Sequence, residues 1–186
     1  MFNTTIATQI YAKICFEATN SQKKIIENLS EYLSDDDFSR IFVLNGFAGT
    51  GKTTLIAALV AALKELRIKP VLLAPTGRAA KVLARYCGEQ ALTIHKRIYR
   101  QRTNADYESK FSLDFNREQG AVFIVDEASM LSDSTGDGAL FGSGSLLEDL
   151  VSYVRSGRGC RLILVGDSAQ LPPVGCDFSP ALDPAT

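Results

Sequence analysis

An α/β fold, in which a mostly parallel sheet flanked by helices carries a phosphate-binding loop, is what this 186-residue sequence predicts. Three observations predict it. Apolar runs rich in Val, Ile, Leu and Phe recur at residues 41–44, 71–74, 121–125 and 161–165, separated by helical stretches, as buried parallel strands do. The first run leads directly into Gly46, four residues, then Gly51-Lys52-Thr53, the spacing of a phosphate-binding loop set between a strand and a helix. The other runs also end in polar motifs, and ligands of open α/β sheets bind beyond the carboxyl ends of the strands, so the motifs are expected to converge on one site.

Taken in order, residues 21–33 read as a helix with Ile25, Ile26, Leu29 and Leu33 on one face. After the strand at 41–44 comes the loop Gly46, Phe47, Ala48, Gly49, Thr50, Gly51, Lys52, Thr53, Thr54. Its glycines allow a tight turn that aims backbone N–H groups at phosphate oxygens, and a helix starting near Gly51 adds its positive end. Lys52 reaches the outer phosphates and the Thr53 hydroxyl suits a magnesium ion, so a nucleoside triphosphate with Mg2+ is expected. Residues 53–66 continue as an Ala/Leu-rich helix. The strand at 71–74 runs into Pro75-Thr76-Gly77-Arg78, where Thr76 is placed to cap a basic helix over 78–86.

The strand at 121–125 ends in Asp126-Glu127. Asp126 suits the magnesium ion, and Glu127 suits orienting and deprotonating a water that attacks the terminal phosphate. The bland alternative is an acidic pair capping the next helix. Residues 132–145 form a Gly/Ser-rich loop whose Gly142-Ser143-Gly144 lacks the third glycine of a dinucleotide fingerprint, so no cofactor is assigned to it. An amphipathic helix over 146–154 precedes the strand at 161–165, after which Gln170 stands where a neutral amide senses the terminal phosphate. Four of the six prolines, Pro172, Pro173, Pro180 and Pro184, lie in the tail.

Bulk properties narrow the partners. Twenty basic side chains against 21 acidic ones give a net charge of -1, so any nucleic-acid surface must be a local patch. One such patch is visible between Thr76 and Arg102, where Arg78, Lys81, Arg85, Lys96, Arg97, Arg100 and Arg102 stand against Glu89 alone. Cys15, Cys87, Cys160 and Cys176 form no Cys-x-x-Cys pair, and with His95 the lone histidine they argue against a zinc site and for reduced, half-buried thiols. No run approaches a membrane span and the first residues are no targeting signal; a cytoplasmic protein without a membrane partner is the expectation.

The segments GFAGTGKTT, APTGRAAKVLA, TIH, IVDEAS and LVGDSAQLPPVG, in this order, resemble the motor motifs of superfamily 1 DNA helicases of the RecD and Dda type, which move 5′ to 3′ on single-stranded DNA. The resemblance covers about residues 19 to 175 and is most selective in GDSAQLPPVG. It implies a RecA-like P-loop NTPase, the amino-terminal motor domain of a helicase, filling residues 1–186 as a single ATPase domain, with its second RecA-like domain outside this chain. By the same resemblance Lys52, Glu127 and Gln170 are catalytic, Thr53 and Asp126 hold the metal, and Gln22 reads the adenine. DNA-backbone contacts fall on Pro75, Thr76, Arg78, Thr93 and His95. The partners implied are single-stranded DNA and subunits of a recombination or repair complex; an exodeoxyribonuclease V alpha-subunit is one such setting.

Alternatives stay open. Gln22 also reads as a solvated helix residue and His95 as a structural histidine. Residues 97–120, polar with interleaved aromatics, are expected to insert a small β-hairpin around 105–116, with Tyr107, Phe111 and Phe115 at its tip or faces. Related helicases place a strand-separating pin there; a hairpin packed on its own domain is the competing reading. A nucleotide-gated DNA-binding module without turnover, or a P-loop nucleoside kinase, would also carry the phosphate loop, although a kinase leaves GDSAQLPPVG unexplained.

Overall fold

The computed structural model describes residues 2–14, 17–103, 109–131, 141–170 and 179–182. Helices α1 (Phe2–Lys13) and α2 (Asn20–Ser34) precede β1 (Ile41–Asn45), and α3 (Lys52–Glu65) leads to β2 (Pro70–Ala74). Then come α4 (Gly77–Cys87), β3 (Ala91–Thr93), the short α5 (Ile94–Ile98), β4 (Tyr99–Thr103) and β5 (Ser109–Leu113). Strands β6 (Val122–Val125) and β7 (Arg161–Gly166) flank α6 (Leu146–Ser156), and single 3-10 turns occupy Ala128–Met130 and Pro180–Leu182.

All pairs in the main sheet are parallel, in the order β1-β7-β6-β2-β3. Successive side chains of each strand point to opposite faces, and both faces are covered, which is why the strands read as continuous apolar runs. Leu44, Leu72, Val122, Ile124, Ile163 and Val165 pack with α1, α2, α3 and Leu83 of α4. Val71, Leu73, Phe123, Val125, Leu162 and Leu164 pack with α5, α6 and the base of the β4–β5 pair. Helix α3 buries Leu55, Ile56, Ala58, Leu59, Val60, Ala62 and Leu63, and so is apolar nearly all round.

Among the elements that escaped the periodicity are α1 and β3. Helix α1 carries three Thr and one Asn, which are mediocre helix formers, and is held by Ile6 and Ile10, four residues apart and both fully buried against the same core as α2 and α3. Strand β3 has only three residues, too few to show alternation.

The hairpin is present but starts earlier than the run 105–116. Its strands pair antiparallel from Tyr99↔Leu113 to Thr103↔Ser109. The chain leaves the hairpin at Asp114, whose N–H donates to the Ile98 carbonyl at 2.7 Å. Asn116 is buried, with its N–H donating to Ser156 Oγ at 3.1 Å and its Nδ2 to the Val154 carbonyl at 3.3 Å. Phe115, 63% exposed, therefore lies beyond the hairpin, not on its face. Tyr107 falls outside the described residues, as do Cys15, Cys176 and residues 171–178. Cys87 is half-buried and Cys160 buried, both as free thiols. No described helix is long and apolar enough to cross a membrane.

Candidate active site

The phosphate loop leaves β1 and enters α3. Gly51, which caps α3, adopts φ +85°, a left-handed backbone conformation that calls for glycine, and a Cβ there would sit 3.0 Å from the Nε2 end of the Gln22 side chain. The first N–H groups of α3 have no partner within the helix and point toward the loop. Lys52, the first residue of α3, folds its ammonium over the loop, donating to the Phe47 carbonyl at 2.8 Å and to that of Gly46. Thr50 Oγ1 donates to the same Phe47 carbonyl at 2.8 Å. Thr53 and Thr54 fall in the first turn of α3.

Beside the loop lies a cleft of about 540 Å³, lined by Thr19, Gln22, Ile25, Asn45, Phe47 and Lys52 among others. Gln22 belongs to its wall and is already hydrogen-bonded. Its Oε1 accepts from Thr19 N–H at 3.0 Å while Thr19 Oγ1 accepts from Gln22 N–H at 3.3 Å, a reciprocal cap on α2. Its Nε2 donates to the Thr50 carbonyl at 3.3 Å, tying α2 to the phosphate loop.

Strand order brings the remaining motifs together. Because β7 pairs with β1, Gly46 N–H donates to the Gly166 carbonyl at 3.2 Å, and Ser168 N–H donates to Asn45 Oδ1 at 3.1 Å. Gln170, exposed, closes that turn through its N–H to the Asp167 carbonyl at 3.1 Å, while the buried Asp167 accepts from Ala169 N–H at 2.9 Å. Asn45 is a site residue that the motif reading missed; a polar residue closing an apolar strand was its only signal.

Strand β6 lies between β7 and β2, and its end carries the carboxylates. Asp126 N–H donates to the Leu73 carbonyl at 3.0 Å, and Asp126 Oδ1 accepts from Glu127 N–H at 3.0 Å. Burial pushes the Asp126 carboxyl above its ordinary range, opposed by that backbone hydrogen bond and by the Lys52 ammonium, so the carboxylate and the loop lysine sense one another. Glu127 takes a left-handed backbone conformation, φ +54°, unusual for a non-glycine residue. Burial and the charge of Asp126 raise its carboxyl, while the Arg78 guanidinium lowers it. A hydroxyl and a carboxylate are hard oxygen donors, the kind magnesium takes while keeping several waters, so Thr53 and Asp126 fit the ion.

Next to β6, β2 and β3 end in matching caps. Thr76 Oγ1 accepts from Ala79 N–H at 3.2 Å at the start of α4, and Thr93 Oγ1 accepts from Lys96 N–H at 3.2 Å at the start of α5. Ala74 and Thr93 are register partners, so Pro75, Thr76 and Thr93 share one edge, with Arg78 exposed in the first turn of α4. His95 is half-buried against Phe141, edge-on at 5.1 Å, and Tyr99, tilted at 5.7 Å, and burial lowers its pKa. Its ring thus has packing partners of its own at the border of that edge.

The chain resembles known proteins in sequence and in fold. A family profile described as "AAA domain" matches residues 17–177. The ATP-dependent RecD2 DNA helicase of Deinococcus radiodurans is 30% identical over 154 residues, covering 83% of this chain and 19% of that protein. The RecBCD enzyme subunit RecD of Mycobacterium tuberculosis is 35% identical over 158 residues, covering 72% of this chain and 24% of the relative. The crystal structure of Pif1 helicase from Candida albicans superposes with a TM-score of 0.54 at 22% identity, covering 90% of this chain and 37% of that one, a likeness of fold. This chain therefore spans about a quarter or less of the length of these curated relatives.

Proposed function

We propose an activity for a chain that belongs to the AAA-domain family of superfamily 1, RecD- and Dda-like helicase motors: it binds ATP with magnesium and single-stranded DNA, and couples ATP hydrolysis to translocation and unwinding. The observation that carries this reading is the convergence of the phosphate loop, Asp126-Glu127, Thr76–Arg78 and Gln170 on one edge of the sheet, produced by the order β1-β7-β6-β2-β3.

In this reading the backbone of Gly46–Thr54 and the Lys52 ammonium hold the phosphates, and Lys52 exchanges its contacts to the Gly46 and Phe47 carbonyls for phosphate oxygens. Thr53 and Asp126 would hold the magnesium ion, which neutralises charge on the terminal phosphates when bound. Glu127 orients the attacking water and takes its proton. Gln170 hydrogen-bonds the terminal phosphate and loses that bond on hydrolysis. Gln22 reads the base from the cleft wall. Pro75, Thr76, Arg78, Thr93 and His95 line the DNA path, where caps and guanidinium face phosphates. A second RecA-like domain supplies arginines to the transferring phosphate, an effect on the order of a thousandfold or more in rate. A recombination or repair assembly in the cytoplasm is the setting we infer; the RecD relative is named as a subunit of the RecBCD enzyme.

Phosphate release from ATP, with and without single-stranded DNA, tests the reading beside a Glu127→Gln control. DNA-stimulated release that the control abolishes while still binding ATP is expected when both motor domains are present. ATP and DNA binding without release by this chain alone would support a nucleotide-gated binding module that needs its second half. Failure to bind ATP would overturn both.

A further inference from the structure

The hairpin formed by β4 and β5 is held to the motor core by a buried polar and aromatic latch. Asp149, in the first turns of α6, is only 5% exposed, and its Oδ2 accepts from Tyr99 Oη at 2.7 Å and from Ser143 N–H at 3.0 Å. Tyr99 opens β4, so this bond reaches from the first residue of the hairpin to α6. On the other strand, Phe111 stacks on Phe141 with centroids 4.6 Å apart, and its carbonyl accepts from Gly142 N–H at 2.9 Å. Phe141 also meets Tyr99 at 5.3 Å and the His95 ring at 5.1 Å.

Gly142 has a packing reason to be glycine. Its φ is +48°, and a Cβ there would sit 1.8 Å from Asp149 Oδ2 and 2.7 Å from the Tyr99 ring. The loop can press onto the latch only without a side chain at that position.

A buried carboxylate is an expensive way to stabilise a core, and this one has no ion pair among the described residues. Buried polar groups of this kind are best attested as devices that select one register. A two-stranded hairpin is marginal by itself, so it needs an anchor if it is to hold an angle against load. The latch joins both strands, the loop before α6, and the His95 segment at the DNA edge into one packed unit.

We infer that Asp149, through Tyr99 and Ser143, is a positioning residue that sets the hairpin's angle to the DNA edge, so that the hairpin meets the junction of a forked DNA. The inference rests on the proposed DNA-binding reading. Phe141 and Gly142 are the other parts of the device.

The test uses this 186-residue chain as wild type and as Tyr99→Phe, Asp149→Asn and Asp149→Ala. Hydrogen exchange reports the hairpin directly, and fluorescence anisotropy gives affinities for a forked oligonucleotide and for a single strand. Tyr99→Phe removes one hydroxyl and leaves the ring, so protection of β4 and β5 should fall about fivefold, the effect of one hydrogen bond, with β1 and β7 unchanged. The fork-over-single-strand preference should fall by a similar factor while ATP and single-strand affinity hold. Asp149→Asn keeps an oxygen acceptor and should restore both readouts relative to Asp149→Ala. Unchanged hairpin protection in Tyr99→Phe overturns the latch. Loosened strands with an unchanged fork preference, or a wild type without any such preference, overturn its role in DNA positioning. A wild type that binds no single strand overturns the functional reading instead, and the exchange readout still decides whether Asp149 holds the hairpin.

Discussion

Replacing Gln22 by alanine tests two roles that the structure places on one carboxamide. The side chain accepts from Thr19 N–H at 3.0 Å and donates to the Thr50 carbonyl at 3.3 Å, so alanine removes half of the cap on α2 and the tie to the phosphate loop. A lost cap interaction costs about 1 kcal/mol, and a partly exposed hydrogen bond about another 1 kcal/mol. For a chain of this size that sum lowers the melting temperature by roughly 4–8 °C. If the carboxamide also reads adenine, preference for ATP over GTP should fall by about tenfold in competition against a fluorescent nucleotide, the equivalent of one well-placed hydrogen bond. Gln22→Glu separates the cap from the tie, because a carboxylate still accepts from Thr19 but cannot donate to Thr50. A melting shift with unchanged base preference would refute the adenine assignment. An unchanged melting temperature would refute the accounting of the two hydrogen bonds.

Two further outcomes follow from charge. Arg78→Ala should weaken single-strand binding about equally for all sequences and reduce the slope of log affinity against log salt by about 0.7, one single-strand phosphate contact; an identical slope removes it from the DNA path. Glu118 supplies a pH dependence. Burial opposes its charge, but hydrogen bonds from Lys69, at 2.8 Å, and Arg97, at 2.7 Å, outweigh burial and hold its carboxyl below the ordinary value. A lowered folded pKa contributes stability above the unfolded value of about 4.3, and that contribution is lost as pH falls through the folded value. Glu118→Gln should therefore lower stability at neutral pH and flatten the acid limb of a denaturant-midpoint profile; parallel profiles would remove the ion-pair account.

Much of the candidate site is legible in the sequence. A phosphate loop depends on local chemistry, glycines for positive φ and a lysine at a helix start, and Gly51 and Lys52 meet those demands in the structure as in the sequence. The four long parallel strands announce themselves because burial on both faces leaves no polar alternation, and Asp126, Glu127 and Gln170 follow those strands by a fixed few residues.

What the sequence by itself determined, then, is each of the four long strands, the helix beside it and the motif at its end, because those depend on near neighbours in the chain. Only the tertiary structure decided that β7 lies beside β1, so that Gln170 and the phosphate loop share an edge, and that β2 lies beside β6, so that the charge of Arg78 is felt at Glu127. It also decided the fate of α1, whose two isoleucines become a helix face only when α2 and α3 cover them. The same holds for the hairpin, whose strands are set by Tyr99 and Phe111 finding Asp149 and Phe141 thirty residues or more away. Contacts between distant segments depend on the shape of the packed core, and no local pattern of residue types records that shape.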